Sequence, residues 1–220
     1  MDNYYNLREF QCITKAKHGV GSLASLPESL RELGVKKPLI VTDPGVVGAG
    51  LLDRVTKVLE EASIPYGVFD QVVPNPYVST VGDASKQYAK DGCDGLIGLG
   101  GGSAMDTAKG VGVEATHDGD VLYWEAAKRD LERRIAPLIT IPTTAGTGSE
   151  ITVWAVITDP DRKFKFNVGG PLMSPHIAIV DPELHMTMPP LVTAGTGMDA
   201  LCHAVECYTC HFAQPHTDAA

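Results

Sequence analysis

Gly95-Leu-Ile-Gly-Leu-Gly-Gly-Gly-Ser103, followed by a helical stretch to about Val113, is the segment whose reading decides the fold. The apolar run is short and bounded by glycines, as in a fully buried strand. Three glycines and a serine then stand where a helix starts. Glycine lets the backbone come close to a neighbour, and the first N–H groups of a helix are unpaired and lie at the positive end of its dipole. Ser103 suits a helix cap or a hydroxyl donor. Two readings stay open for Gly101, Gly102 and Ser103: a tight strand-to-helix turn, or a cradle for an anion. The pattern is neither G-x-G-x-x-G nor a Walker loop. Asp106 and Lys109, three residues apart on the same helix, read as an ion pair or as ligand contacts.

Working outward, Pro38-Leu-Ile-Val-Thr42 is a second buried strand, followed by Asp43-Pro-Gly and a helix from about Leu51 to Ala62. Ile64 to Phe69 reads as a strand and Ser79 to Lys90 as a helix with Val81, Ala84 and Tyr88 along one side. Ala136 to Ile141 is a further strand, running into Pro142-Thr-Thr-Ala-Gly-Thr-Gly-Ser-Glu150. Strands separated by helices predict βαβ units: an α/β, Rossmann-like, mostly parallel sheet. Two polar, glycine-rich loops at the carboxyl ends of such strands describe the crevice where these sheets bind nucleotides. Thr143, Thr144, Thr147 and Ser149 bring hydroxyls to it. Asp43 is either a helix cap before Pro44 or a carboxylate that accepts both hydroxyls of an adenosine ribose and repels a 2'-phosphate.

The rhythm changes after residue 150. Val153 to Thr158 and Phe164 to Val168, either side of Asp159-Pro-Asp-Arg162, predict a hairpin. Ile177 to Val180 returns to a buried strand, and from Pro189 through Glu206 the pattern is helical. These shifts predict a dinucleotide-binding α/β domain over residues 1–187 and the start of an all-helical, metal-binding domain over 188–220.

The 220 residues carry 44% hydrophobic content and a formal charge of −9. That is enough apolar material for a substantial core, and the acidic balance argues against nucleic acid as a partner. Met1 to Phe10 lacks a signal-peptide pattern and no apolar run is long enough for a membrane span, so the expectation is a cytoplasmic protein with no membrane partner. Five cysteines, at 12, 93, 202, 207 and 210, fit reduced thiols better than a disulfide scaffold.

Asp199 and His203 are four residues apart on the last helix, which puts a carboxylate and an imidazole on one face, part of a divalent-metal site. A capping Asp and a packed His would give the same spacing. Cys202, Cys207-x-x-Cys210, His211 and His216 offer a rival zinc centre, although the stretch reads as helical and zinc knuckles favour turns.

Taken in order, Gly19-Val-Gly-Ser22, Val41-Thr-Asp43, Pro74-Asn-Pro76, Gly100-Gly-Gly-Ser103 with Asp106 and Lys109, Pro142 to Glu150, Asp181-Pro-Glu-Leu184 and Thr196-Gly-Met-Asp-Ala-Leu-Cys-His203 resemble the iron-containing, or group III, alcohol dehydrogenases, in the branch with propanediol and lactaldehyde reductases. The resemblance covers almost the whole chain. It implies a metal-dependent, NAD-linked alcohol dehydrogenase or aldehyde reductase acting on a primary or small secondary alcohol, an activity implied for the family and not for this chain alone; a homo-oligomer is also expected. It implies that Asp43 discriminates the adenosine ribose, Asn75 lines the cofactor crevice, and Gly101, Gly102 and Ser103 cradle the pyrophosphate. Thr143 and Thr147 would stand near the nicotinamide half, with Thr144 between them, and Lys165 would meet a cofactor ribose. Asp199 and His203 would be the first two ligands of Fe2+ or Zn2+. Trp154 stands where some diol-active relatives carry a polar substrate contact, which implies a larger, more apolar substrate wall. The family continues well beyond this point through a helical domain that brings two more histidine ligands. The expectation is therefore an incomplete site, with Leu191, Val192, Leu201 and Val205 exposed as an apolar patch that favours association or loss of order beyond about residue 190. The alternative is a non-catalytic NAD-binding module that needs a separate helical partner.

Overall fold

The computed structural model describes residues 12–211; the N-terminal segment and His216, both considered above, lie outside the described residues. Six strands form one sheet: β1 (Lys15–His18), β2 (Pro38–Val41), β3 (Gly67–Phe69), β4 (Gly95–Gly100), β5 (Leu138–Pro142) and, after a hairpin, β8 (Ile177–Val180). Their order is β1-β8-β5-β4-β2-β3, and every neighbouring pair is parallel. The expected α/β, mostly parallel sheet is what the chain forms.

Alternation along each central strand sorts its side chains to two faces. Ile40, Ile97 and Ile139 join Leu26 and Leu30 of α1 (Leu26–Glu32) and Val55 and Leu59 of α3 (Leu51–Glu61). Their neighbours Leu39, Leu96 and Leu138 face the other way, toward Val81 and Ala84 of α4 (Val78–Asp91) and Ala108 and Val111 of α5 (Gly102–Glu114). Each fully buried side chain of this size contributes about 1.5–3 kcal/mol relative to exposure. Covering on both faces is what a parallel sheet requires.

The strand order fixes where a ligand can enter. From β2 the chain crosses through α2 (Pro44–Gly48) and α3 to β3 on one side; from β4 it crosses through α5 to β5 on the other. The loops after β2 and β4 therefore diverge, opening a crevice at the switch point.

The hairpin of β6 (Trp154–Asp159) and β7 (Phe164–Gly169) is antiparallel. Its period-2 pattern turns Ala155, Ile157, Phe166 and Val168 into the core and leaves Trp154, Val156 and Thr158 on the open side. The last element, α6 (Pro190–Thr209), contributes no buried residue; Leu191, Val192, Leu201 and Val205 are exposed along it, and the helix runs unbroken over twenty residues.

Some elements differ from the sequence expectations. The strand expected over 64–69 begins only at Gly67, because the Ile64 N–H bonds back to the Leu59 carbonyl and closes the end of α3. β1 carries Lys15, Lys17 and His18 with little apolar signal, as suits an edge strand protected by charge. Residues 115–137 hold no long element, yet Val121, Trp124, Leu131 and Ile135 are buried there.

Candidate active site

Two cavities open at the carboxyl end of the sheet, of about 680 Å3 and about 440 Å3, and both are lined by Gly102, Ser103 and Thr147. The larger holds Asp43, Gly101, Thr143 and Thr144. The smaller holds Asn75, Asp106, Trp154, Lys165, Asp199 and His203. Residues spread over more than 150 positions of sequence thus line one continuous pair of chambers. Thr143 and Thr144 stand in the chamber with Asp43, away from Asp199 and His203; Thr147 is common to both.

The β4–α5 turn forms the ridge between the chambers. Gly100 has φ +144°, and a Cβ there would lie 2.8 Å from Ala104 Cβ and 3.1 Å from Asp43 Oδ2. Only glycine lets the strand turn this tightly and keeps the carboxylate beside the turn. Gly101 caps α5 without any side-chain hydrogen bond to the helix end. The first N–H groups of α5 therefore face the crevice with the positive end of the dipole. The second glycine-rich loop is pinned alongside: the Thr143 N–H donates to the Gly100 carbonyl at 2.9 Å. A Cβ on Gly102 would sit 3.1 Å from Thr147 Cγ2.

Asp43 is a helix cap in the structure. Its Oδ1 accepts from the N–H groups of Gly45 (2.8 Å) and Val46 (3.1 Å), capping α2. Its Oδ2 is the oxygen that faces Gly100.

In the smaller chamber Asn75, at φ +55°, is the joint. Its N–H donates to Ser103 Oγ at 3.3 Å, its carbonyl accepts from Thr158 Oγ1 at 3.2 Å, and its Oδ1 accepts from Lys165 Nζ at 2.8 Å. This network joins α5 to the open face of the hairpin.

Asp106 and Lys109 do approach each other, at 3.7 Å, but their closest bonds go elsewhere. Lys109 is fully buried and donates to Ser149 Oγ (3.0 Å), Thr152 Oγ1 (3.1 Å) and the Trp154 carbonyl (2.7 Å). Asp106 accepts from Ser149 Oγ (2.5 Å) and from the Val156 N–H (2.9 Å). Burial pulls the Lys109 ammonium down to about 8, with Asp106 opposing. Burial likewise pushes the Asp106 carboxyl up, opposed by Lys109, Ser149 and Val156. The pair clamps the loop ending at Ser149 and the start of β6 onto α5.

The helix α6 forms the outer wall. Val192, Thr196, Asp199 and His203, at helical spacing, turn one face to the crevice, the first two lining the larger chamber and the last two the smaller. A Cβ on Gly146 would fall 2.4 Å from the Thr196 carbonyl oxygen, so the helix backbone rests against the second loop only because no side chain intervenes. His203 Nε2 and Asp199 Oδ1 are 3.7 Å apart.

The residues present fit a dinucleotide diphosphate. The α5 end is uncapped, and the Thr144 hydroxyl is buried with no hydrogen-bond partner in the wall beside it. For a metal, Asp199 and His203 supply an oxygen and a nitrogen donor. Among the described residues no group of three or more His, Cys, Asp or Glu assembles. Cys202, Cys207 and Cys210 are exposed, free thiols, so the rival zinc centre does not form among those residues.

Sequence reasoning passed over Val156 and Thr158 of the smaller chamber and Val192 and Thr196 of the outer wall. Period-2 extension from Trp154 and helical extension back from Asp199 carry the signal for both sets. Thr152, by contrast, is recognisable only through the buried Lys109.

The family model described as iron-containing alcohol dehydrogenase matches residues 14–182. A choline dehydrogenase of Bacillus subtilis is 56% identical over all of this chain and 55% of its own length. A 1,3-propanediol dehydrogenase of Klebsiella pneumoniae is 41% identical over 92% of this chain and 52% of its own. Among solved structures, a sulfoacetaldehyde reductase of Bifidobacterium kashiwanohense in complex with NAD+ superposes with a TM-score of 0.90 at 30% identity, over 97% of this chain and 56% of its own. The chain spans about half the length of the curated relatives it matches. With the family pattern running through both glycine-rich loops and all six strands of the sheet, the chain belongs to the iron-containing alcohol dehydrogenase family.

Proposed function

We propose that this chain forms the cofactor- and substrate-facing part of an NAD-linked, metal-dependent alcohol dehydrogenase, with residues 1–187 as the dinucleotide-binding domain and 188–220 as the start of a helical, metal-binding one. The observation that carries the reading is the uncapped α5 N terminus between the two chambers, with the unpartnered Thr144 hydroxyl beside it. In this reading Gly101, Gly102 and Ser103 hold the diphosphate through backbone N–H groups, and Thr144 and Thr147 add hydroxyl donors. Asp43 Oδ2 accepts the adenosine ribose hydroxyls and repels a 2'-phosphate. Asn75 and Lys165, already bonded to each other, orient the second ribose. Trp154 and Val156 keep water from the space where the alcohol carbon meets the cofactor.

Bound NAD supplies the hydride acceptor for that carbon. Asp199 and His203 are the donors for Fe2+ or Zn2+, both of which take oxygen and nitrogen ligands. Two donors are fewer than either ion holds. The substrate is a small alcohol or aldehyde; choline and 1,3-propanediol, named in the two curated relatives above, are the first alcohols to test. A homo-oligomer fits the exposed apolar side of α6. Among the described residues no helix is long and apolar enough to cross a membrane, and a cytoplasmic site is proposed with it.

Isothermal titration of the 220-residue chain with NADH and NADPH tests the reading. Saturable NADH binding with weaker NADPH binding is expected; no NADH binding up to about 1 mM overturns it. A second reading, a non-catalytic NAD-binding module served by a separate helical partner, is favoured by the two-donor metal set among the described residues. Turnover of an alcohol by the chain alone with NAD and Fe2+ or Zn2+ would reject that second reading.

A further inference from the structure

The three cysteines of the last helix are not equivalent. Cys202, Cys207 and Cys210 are all exposed, free thiols. The first two lie inside α6, and Cys210 is its C-cap, at φ −74° and ψ 156°. The Cys210 N–H still donates to the Glu206 carbonyl at 2.9 Å, so the chain keeps its helical course up to the Cys210 Cα and leaves it only beyond. On a helix, Cα atoms three residues apart are separated by about 5 Å, inside the roughly 4.4–6.8 Å that a disulfide spans. Five and eight residues give about 9 Å and about 12 Å, which is too far. Cys207 can therefore meet Cys210, and Cys202 can meet neither. Cys93 is buried in the core beside Leu39 and Leu96, and Cys12 precedes β1, at the amino end of the sheet and away from the crevice that α6 walls.

Helical rotation also separates this pair from the apolar side of α6. At about 100° per residue, Cys207 and Cys210 fall within about 80° of Asp199, on the side that bounds the smaller chamber. Leu201, Val205 and Tyr208 fall on the opposite side, and Cys202 turns toward Leu191 and Met198 at its border. A chain packed on the apolar side would leave the pair open to small molecules.

Closing the pair asks the helix to move. Cβ atoms three residues apart on a helix lie about 5–6 Å from each other, whereas a disulfide brings them to about 3.5–4.5 Å. The last turn is the part of α6 able to yield, because Cys210 already turns out of the helix there. A bridge formed against that resistance is readily reduced, which makes it a switch rather than a staple.

We propose that Cys207 and Cys210 form a reversible thiol–disulfide modification site, closed by a low-molecular-weight disulfide such as glutathione disulfide. One cysteine, as its thiolate, attacks a sulfur of the small disulfide and releases one thiol; the second cysteine then displaces the other thiol from the mixed disulfide. Two protein thiols are oxidised, the small disulfide is reduced to two thiols, and the protons lost by the cysteines pass to them. Nothing in this step needs NAD or a metal. Cys202, with no second thiol in reach, stops at the mixed disulfide.

The test incubates the reduced 220-residue chain with glutathione disulfide, alkylates the remaining thiols and cleaves after Glu206 without reductant, which parts Cys202 from the other two. Mass spectrometry of the peptide that begins at Cys207 should show the loss of two hydrogens, no alkylation and no glutathione, and dithiothreitol should restore both thiols. Cys210→Ser should leave glutathione on Cys207, while Cys202→Ser should leave the bridge unchanged. An alkylated pair, glutathione retained on the wild-type pair, or a bridge that includes Cys202 or joins two chains overturns the proposal.

Discussion

Lys109→Met removes a fully buried charge that makes three hydrogen bonds and faces Asp106 at 3.7 Å. The variant leaves the Asp106 carboxylate almost enclosed, with Ser149 and Val156 as its remaining donors, and leaves the Trp154 carbonyl without its ammonium. Removing one partner of a buried pair costs about 3–5 kcal/mol, and an orphaned buried acceptor about 1–3 kcal/mol. The two overlap, so the expected loss is about 4 kcal/mol. For a chain of this size that lowers Tm by roughly 8–16 °C. Asp106→Asn combined with Lys109→Met removes both charges yet keeps an acceptor for the Val156 N–H, and it should recover about half of the loss. The lowered Lys109 pKa adds a pH signature. The unfolded chain holds this proton more tightly, near the ordinary 10.5, than the folded chain does, near 8. The cost of burying the charge is fully present below about pH 8 and is relieved as pH rises toward 10.5, a gain that Lys109→Met lacks. Urea unfolding of the three proteins at pH 7 and pH 9 measures all of this. A single-variant loss below about 1 kcal/mol, or a double variant no more stable than the single, would refute the clamp.

His176 accepts the Leu138 N–H at Nδ1 (3.2 Å), and burial, with Arg134 adding, holds its pKa down at about 4. Protonation is thus easier in the unfolded chain, and stability should fall between about pH 6.5 and 4 by no more than about 3 kcal/mol; His176→Asn should flatten that limb of an acid-unfolding curve. Asp43→Ala removes the Oδ1 cap of α2 and should cost about 1 kcal/mol in thermal unfolding. The same change should narrow the preference for NADH over NADPH about tenfold, because the repulsion of a 2'-phosphate goes with the carboxylate. Gly146→Val places a side chain where the Thr196 carbonyl lies, pushing α6 from the second loop; faster proteolysis within 190–209 is expected, with the far-UV spectrum of the sheet domain unchanged.

The strands β2, β4, β5 and β8 were legible because a buried parallel strand is a short apolar run bounded by turn residues, and Leu96, Ile97 and Leu99 fit nothing else at that length. The hairpin was legible from Asp159-Pro-Asp-Arg162 between two β-prone runs. β1 was not, since an edge strand protected by Lys15 and Lys17 carries charge where the reading looks for apolar residues. The buried residues of 115–137 escaped for another reason: Val121, Trp124, Leu131 and Ile135 follow neither period because no long element carries them.

In the site, the sequence by itself determined the glycine-rich turns, the hydroxyls beside them and the Asp199–His203 pair, because each depends on residues within one turn of chain. Tertiary structure alone decided which groups share a chamber. The reversal of strand order between β2 and β4 brings Asp43 to Gly100 across more than fifty residues, and the absence of a side chain at Gly146 lets α6 close against the second loop. It also decided between readings that local sequence leaves equal. Lys109 and Asp106 have the spacing of a surface ion pair, and only the packing of the hairpin over α5 buries them and turns them into the clamp that holds the start of β6 to α5. Local spacing fixes which groups can meet along one element, whereas burial and the direction of a side chain depend on what the rest of the chain packs against it.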